Sequence, residues 1–166
     1  FNLGTKGGGM LTEVGDSSLF MAGVHVAHDC IVGNNTILAN QVTLGGHVTI
    51  DDYAVLGGLS GVHQFCRIGS LAMIGGLSAI ENDVIPYGLA IGNRAKIIGV
   101  NLVGLRRANF KNEDIMEFKN AVEKLLSRKD RVSVSEYNNN KSNQLINTLL
   151  DFISEDSTRG LCLYDD

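Results

Sequence analysis

Every sixth residue of the first half of this chain is apolar. From Val14 the register runs through Phe20, Val26, Val32, Leu38, Leu44, Ile50, Leu56, Val62, Ile68, Ile74 and Ile80. Four residues after each comes a small or β-branched residue, such as Cys30, Thr36, Val42, Ala54, Ser60, Cys66 and Ala72. Neither the helical period nor simple strand alternation produces a period of six. The pattern predicts a left-handed parallel β-helix, in which each hexad makes a short strand and a turn. Three hexads close one triangular coil. The aliphatic residue points inward and the small residue fits beside it. Each coil buries itself only against its neighbours, as in any solenoid. Residues 14–85 supply four such coils, and glycine is expected to supply positive φ at the turns.

Composition narrows the class. Glycine is 20 of 166 residues with a single proline, and no strict every-third-residue glycine marks a collagen. With 44% hydrophobic residues and a net charge of −4, the chain is neither disordered nor a globally basic nucleic-acid binder. No apolar run is long enough to span a bilayer, and no signal segment opens the sequence. The first residue is Phe1 rather than Met, which fits a cut N terminus or a fragment. Three cysteines without metal-type spacing read as free thiols in a reducing, cytoplasmic setting.

Pro86 breaks the hexad register, so the coil stack is expected to occupy residues 1–86 and to stop there. Residues 87–111 read as a connecting segment and 112–166 as a small α-helical domain. Asn112, Glu113 and Asp114 look like an N-cap and an acidic first turn. Ile115, Phe118, Val122, Leu125 and Leu126 then share one stripe of a helix over 113–128. A polar loop with Asn138, Asn139 and Asn140 precedes a second helix near 143–154. Charge is uneven: residues 87–131 hold 10 basic and 5 acidic groups, against 2 and 7 in residues 1–86. Arg94, Lys96, Arg106, Arg107 and Lys111 therefore make a basic zone suited to an acidic or phosphorylated partner.

All four histidines, His25, His28, His47 and His63, fall in the coils. Folded onto an 18-residue coil, His28, Gly46 and Gln64 form one column, and the other histidines flank it. Such an edge suits acid–base chemistry or metal binding. Asp29, next to His28, is placed to orient it as a base.

The stretch His25-Val-Ala-His28-Asp29-Cys30 resembles the signature of bacterial UDP-N-acetylglucosamine acyltransferases. Further matches are Leu38-Ala39-Asn40, Gly46-His47-Val48, Val62-His63-Gln64-Phe65, Gly92-Asn93, Gly99-Val100-Asn101, Gly104-Leu105-Arg106-Arg107 and Ser157-Thr158-Arg159-Gly160. The resemblance implies transfer of an R-3-hydroxyacyl group from acyl carrier protein to the 3-hydroxyl of UDP-N-acetylglucosamine, the first step of lipid A synthesis. It implies a homotrimer with clefts between subunits, and no cofactor beyond the carrier's phosphopantetheine. By the same resemblance His28 is the general base, Asp29 orients it and the Gly46 N–H holds the oxyanion. His25, His47, His63 and Gln64 match substrate-contacting positions, and Asn101 and Arg107 match contacts to nucleotide or pantetheine. Gly76 matches the position that limits the acyl groove, although a turn glycine reads the same way. The basic zone matches a dock for acyl carrier protein. Two departures stand out: Val103 replaces a usual acidic residue, and family members carry further coils before the point where this chain begins. The alternatives are the sister N-acyltransferase of the same pathway, a zinc-dependent γ-type carbonic anhydrase using three of the histidines, and a non-catalytic β-helix oligomer.

Overall fold

Each aliphatic residue of the hexad register ends a two-residue strand, and strands one coil apart pair in parallel. The computed structural model describes residues 1–127, 133–134, 137 and 143–164. The first face stacks β1 (Glu13–Val14), β4 (Ile31–Val32), β7 (Thr49–Ile50) and β10 (Arg67–Ile68). The second stacks β2 (Leu19–Phe20), β5 (Ile37–Leu38), β8 (Val55–Leu56) and β11 (Met73–Ile74). The third stacks β3 (His25–Val26), β6 (Thr43–Leu44), β9 (Gly61–Val62) and β12 (Ala79–Ile80). The register pairs Val14 with Val32, Leu38 with Leu56 and Val26 with Leu44, an 18-residue coil throughout. From Val26 to Ile80 every register residue is buried, and Cys30, Thr36, Val42, Ala54, Ser60, Cys66 and Ala72 fill the space beside them. Burial pushes the Cys66 thiol up to about 12 and the Cys30 thiol upward too, so both are inert filler.

The corners correct one expectation. Glycine supplies their positive φ only at Gly23. The left-handed residue of successive corners is Ser17, Gly23, Asp29, Asn35, Gln41, His47, Tyr53, Leu59, Phe65, Leu71 and Leu77. A non-glycine residue there costs about 1–3 kcal/mol. From Asn35 to Leu77 the stack offsets that cost with a backbone rung at each corner: the His47 N–H donates to the His28 carbonyl at 3.0 Å, and Phe65 to Gly46 at 3.0 Å. The hexad glycines serve close approach instead. A Cβ on Gly57 would stand 2.5 Å from the Gly76 nitrogen of the next coil, and one on Gly45 2.7 Å from that of Gln64.

Pro86 does not stop the stack. Ile68 bridges Val84 in parallel, and the coil shortens from 18 residues to 16. Tyr87 takes the left-handed corner (φ 61°), and its N–H donates to the Ser70 carbonyl at 2.8 Å. Pro86 thus occupies the residue before the corner, whose N–H no backbone rung between coils requires. The segment expected to connect two domains is ordered sheet: β13 (Gly88–Ile91) pairs in parallel with β11, and β14 (Lys96–Val100) pairs antiparallel with β13.

Three helices follow among the described residues. α1 (Leu102–Arg107) is capped by the Asn101 side chain, which accepts from the Gly104 N–H. α2 (Asn112–Leu126) buries Ile115, Phe118, Val122, Leu125 and Leu126, the stripe expected from sequence. Its cap is Lys111 with no side-chain bond, so Asn112 is the first helical residue rather than the cap. α3 (Gln144–Ser154) is capped by Asn143 and buries Leu145, Ile146, Leu149 and Phe152. Tyr87 meets Phe118 edge to face, joining the helices to the last coil. The expected polar loop, including Asn138, Asn139 and Asn140, lies outside the described residues. The tail then returns to the coils: Asp83 bridges Leu161, and Ile97 bridges Tyr164.

Candidate active site

The 18-residue coil places two columns side by side at the corner between the third and first faces. One column is His28, Gly46 and Gln64; the other is Asp29, His47 and Phe65. His28 Nδ1 lies 2.8 Å from Asp29 Oδ2, with the His28 side chain 40% exposed and that of Asp29 fully enclosed. A carboxylate at Nδ1 makes that nitrogen the N–H donor and leaves Nε2 with a free lone pair. The His47 ring meets His28 edge to face at 5.2 Å and stacks on Phe65 at 4.5 Å. Its Nε2 stands 3.8 Å from Asp29 Oδ2.

Asp29 is held from the N-terminal segment. Thr5 Oγ1 donates to Asp29 Oδ2 at 2.7 Å and the Thr5 N–H to Oδ1 at 2.8 Å, while the Asp29 N–H donates to Thr12 Oγ1 at 2.8 Å. The Thr5 hydroxyl leads in holding the Asp29 carboxyl down at about 2, aided by the Thr5 N–H and His28 against the opposing effect of burial. Asp29 is therefore a permanent carboxylate at neutral pH. Gly8 lies directly over it. A Cβ there would fall 2.2 Å from Asp29 Cγ and 2.5 Å from His47 Cε1, so only glycine fits.

Gly46 is buried under the His28 ring, where a Cβ would stand 2.5 Å from Cε1 and 2.7 Å from Nε2. Its carbonyl accepts from Phe65 at 3.0 Å, and its N–H meets no acceptor among the described residues. The reason is the one that admits Pro86: the residue before each corner gives no backbone rung to the next coil, and where its N–H is paired, at Asp16 and Asn34, the acceptor is the side chain of Asn34 or Asp52. A base and an unpaired backbone donor thus stand next to each other, the pairing that acyl transfer requires.

The other expected residues divide by face. His25 is exposed on β3. His63 and Gln64 are exposed at the histidine corner, where Arg159 bonds both: Nη2 to His63 Nδ1, and Nε to the Gln64 carbonyl at 2.7 Å. Gly76 sits exposed at a different corner, between β11 and β12, outside the left-handed region, and a Cβ there meets only the Gly58 backbone, its oxygen at 3.2 Å and its nitrogen at 3.9 Å. Asn101 and Arg107 lie over the second face. There they rim a cavity of about 960 Å³ floored by Ile37, Val55 and Met73, with Val103 also on the rim. The Asn101 amide is committed, donating to the Leu71 carbonyl at 2.8 Å and capping α1. One chain therefore joins His28, Asp29, Gly46 and His47, and leaves Gly76 and the Asn101–Arg107 cavity on other sides of the prism. Ligand atoms of His28, Asp29 and His47 lie within 4.8 Å of one another. Both Asp29 oxygens already accept from Thr5 or His28, which suits an orienting carboxylate better than a metal ligand.

Sequence reasoning missed Thr5, Gly8 and Thr12. Thr12 lies 17 residues before Asp29, one short of a coil, and could have been found by coil arithmetic. Thr5 and Gly8 precede the repeats and carry no periodic signal.

The model of the UDP N-acetylglucosamine O-acyltransferase second domain matches residues 83–162, and the bacterial transferase hexapeptide model matches residues 12–46. The acyl-[acyl-carrier-protein]–UDP-N-acetylglucosamine O-acyltransferase of Nautilia profundicola is 46% identical over 162 residues, covering 96% of this chain and 62% of that protein. This chain belongs to the UDP-N-acetylglucosamine O-acyltransferase family. The enzyme of the same name from Aliarcobacter butzleri is 54% identical over 125 residues, covering 75% of the chain and 48% of that protein. The solved UDP-N-acetylglucosamine acyltransferase of Campylobacter jejuni superposes with a TM-score of 0.83 at 38% identity, over 98% of this chain and 64% of that one. The chain thus spans about half to three-fifths of the length of these family members. None of the helices described here is long and apolar enough to cross a membrane.

Proposed function

We propose that this chain transfers an R-3-hydroxyacyl group from acyl carrier protein to the 3-hydroxyl of UDP-N-acetylglucosamine, in the cytoplasm and with no cofactor beyond the carrier's phosphopantetheine arm. The observation that carries the reading is the His28–Asp29 pair packed on Gly46, whose N–H is unpaired among the described residues. His28 Nε2 takes the proton of the sugar hydroxyl, and the oxygen attacks the thioester carbonyl carbon. The imidazolium that forms is stabilised by Asp29, and the oxyanion accepts from the Gly46 N–H. Collapse of the intermediate breaks the C–S bond, and His28 returns its proton to the departing thiolate. The products are the ester and the free carrier thiol.

A homotrimer completes the site in this reading. The histidine corner, Gly76 and the Asn101–Arg107 cavity occupy different sides of one prism, and a threefold arrangement lays one chain's corner against a neighbour's face. Exposed Leu59, Phe65 and Leu77 on those corners favour burial between chains. Light scattering should give three times the chain mass, and a stable monomer at micromolar concentration refutes it. The exposed Arg106, Arg107 and Lys111 beside the cavity supply charge for an acidic carrier. The assay for the activity incubates the protein with UDP-N-acetylglucosamine and 3-hydroxyacyl carrier protein and identifies the product by mass. The reading expects a 3-O-acyl sugar nucleotide; its absence at high protein concentration refutes the reading.

A further inference from the structure

Arg159 is the one tail residue whose side chain reaches the histidine corner among the described residues, and the backbone around it is tied to the last coil. The Gly160 carbonyl accepts from the buried Asp83 N–H at 2.9 Å, and the Cys162 N–H donates to the Asp83 carbonyl at 2.8 Å. With the Asn82 amide turned so that its nitrogen faces its two carbonyl neighbours, that nitrogen donates to the Arg159 carbonyl at 2.9 Å. The tail is thereby laid alongside the last coil through a single parallel bridge, and the guanidinium extends back to residues 63 and 64.

There it makes no ion pair among the described residues. It spends its donors on two neutral groups: Nε on the Gln64 carbonyl at 2.7 Å, and Nη2 on His63 Nδ1. A guanidinium only donates. His63 Nδ1 must therefore be the bare, accepting nitrogen, and the ring proton must sit on Nε2. The same geometry shows what the ring does without this partner. Nδ1 also lies 3.4 Å from the Gln64 carbonyl, and with that carbonyl vacated Nδ1–H would donate to it, which strips Nε2 of its proton. The two tautomers present opposite faces to a ligand: Nε2 is a donor in one and an acceptor in the other.

We propose that Arg159 is a positioning residue that locks His63 as the Nε2–H tautomer, so that His63 offers a hydrogen-bond donor to an oxygen of the sugar-nucleotide substrate and does not compete with His28 as a base. The ligand rests on the function proposed above; the tautomer does not. His28 and His63 are then set in opposite senses by opposite partners. A carboxylate fixes the proton on Nδ1 of His28 and bares Nε2, whereas a guanidinium bares Nδ1 of His63 and fixes the proton on Nε2.

The experiment is nitrogen NMR of the full chain with labelled histidine at about pH 8.5, where a neutral imidazole shows its tautomer, with the His63 signal assigned by its loss in His63→Gln. Wild type should show a protonated Nε2 and bare Nδ1. Arg159→Met should move His63 to the Nδ1–H form and lower kcat/KM at least tenfold, with an unchanged unfolding midpoint. Arg159→Lys, whose ammonium can still donate to Nδ1, should restore the wild-type tautomer. A protonated Nδ1 in wild type overturns the proposal, even if Arg159→Met does not fold. An Arg159→Met spectrum identical to wild type also overturns it. Absence of acyl transfer by wild type, with the expected spectra, instead overturns the proposed reaction and leaves the tautomer lock standing.

Discussion

Substituting Gly46 by alanine tests the geometry at the centre of the site. The added Cβ would stand 2.5 Å from His28 Cε1 and 2.7 Å from Nε2. Carbon atoms rest at about 3.5–4.0 Å, so the imidazole must withdraw by roughly 1 Å. Gly46 itself has no left-handed φ, so the backbone accepts alanine. The obstructed group is the end of a side chain that is 40% exposed, and it can swing outward. The fold should lose less than about 1 kcal/mol, within the range of substitutions that leave the core intact. Catalysis should lose far more, because a displacement of about 1 Å in a reacting group costs on the order of 10²-fold. Steady-state acyl transfer should therefore fall about a hundredfold in kcat. A thermal melt should shift by only a few degrees, and a crystal structure should show the His28–Asp29 bond lengthened from 2.8 Å. A variant within twofold of wild-type kcat would refute the claim that His28 must sit on Gly46. A variant that is inactive because it unfolds would refute the packing argument.

Thr5→Val removes the hydroxyl that contributes most to holding Asp29 down at about 2, so the carboxyl should rise toward its ordinary 3.8. Because the folded value is depressed, the stabilisation it confers is present above about pH 4 and fades as pH falls through 2; acid unfolding of Thr5→Val should begin at higher pH, and an unchanged acid midpoint contradicts the role of Thr5. Gly76→Met is expected to fold, since its Cβ meets only the Gly58 backbone, its oxygen at 3.2 Å and its nitrogen at 3.9 Å, and to shift donor preference toward shorter acyl chains; equal loss on long and short donors removes Gly76 from the groove. Arg107→Ala should raise KM for the carrier substrate several-fold, as should added salt, because exposed charge attraction is screened; a KM insensitive to both excludes the basic zone from docking.

Much of this architecture was legible in the repeat. The residues from Val14 to Ile80 end strands on schedule, because a coil can bury only one large side chain per hexad. The histidine corner was legible for the same reason: an 18-residue coil converts sequence spacing into a column, and His28 duly lies on Gly46. What escaped were features set by contacts outside the period. The corners carry positive φ at Asp29, His47 and Phe65 rather than at glycine, since each rung to the neighbouring coil outweighs the local cost. Pro86 reads as a terminator because nothing in the sequence shows that the N–H before a corner makes no backbone rung between coils. Thr5 and Arg159 reach the site from segments with no repeat to place them. In sequence Arg159 carries only a short family-like motif, and its hydrogen bonds to His63 and Gln64 depend on the tail bridging Asp83.

The central claim is that His28, oriented by Asp29 at 2.8 Å, is the base for acyl transfer. The most direct measurement is single-turnover transfer from 3-hydroxyacyl carrier protein to UDP-N-acetylglucosamine by wild type and His28→Ala, with light scattering to verify equal assembly. The account predicts a rate at least 10²-fold lower in the variant, the lower bound for loss of a general base, with assembly unchanged. An active wild type matched within a few-fold by an equally assembled His28→Ala would contradict it.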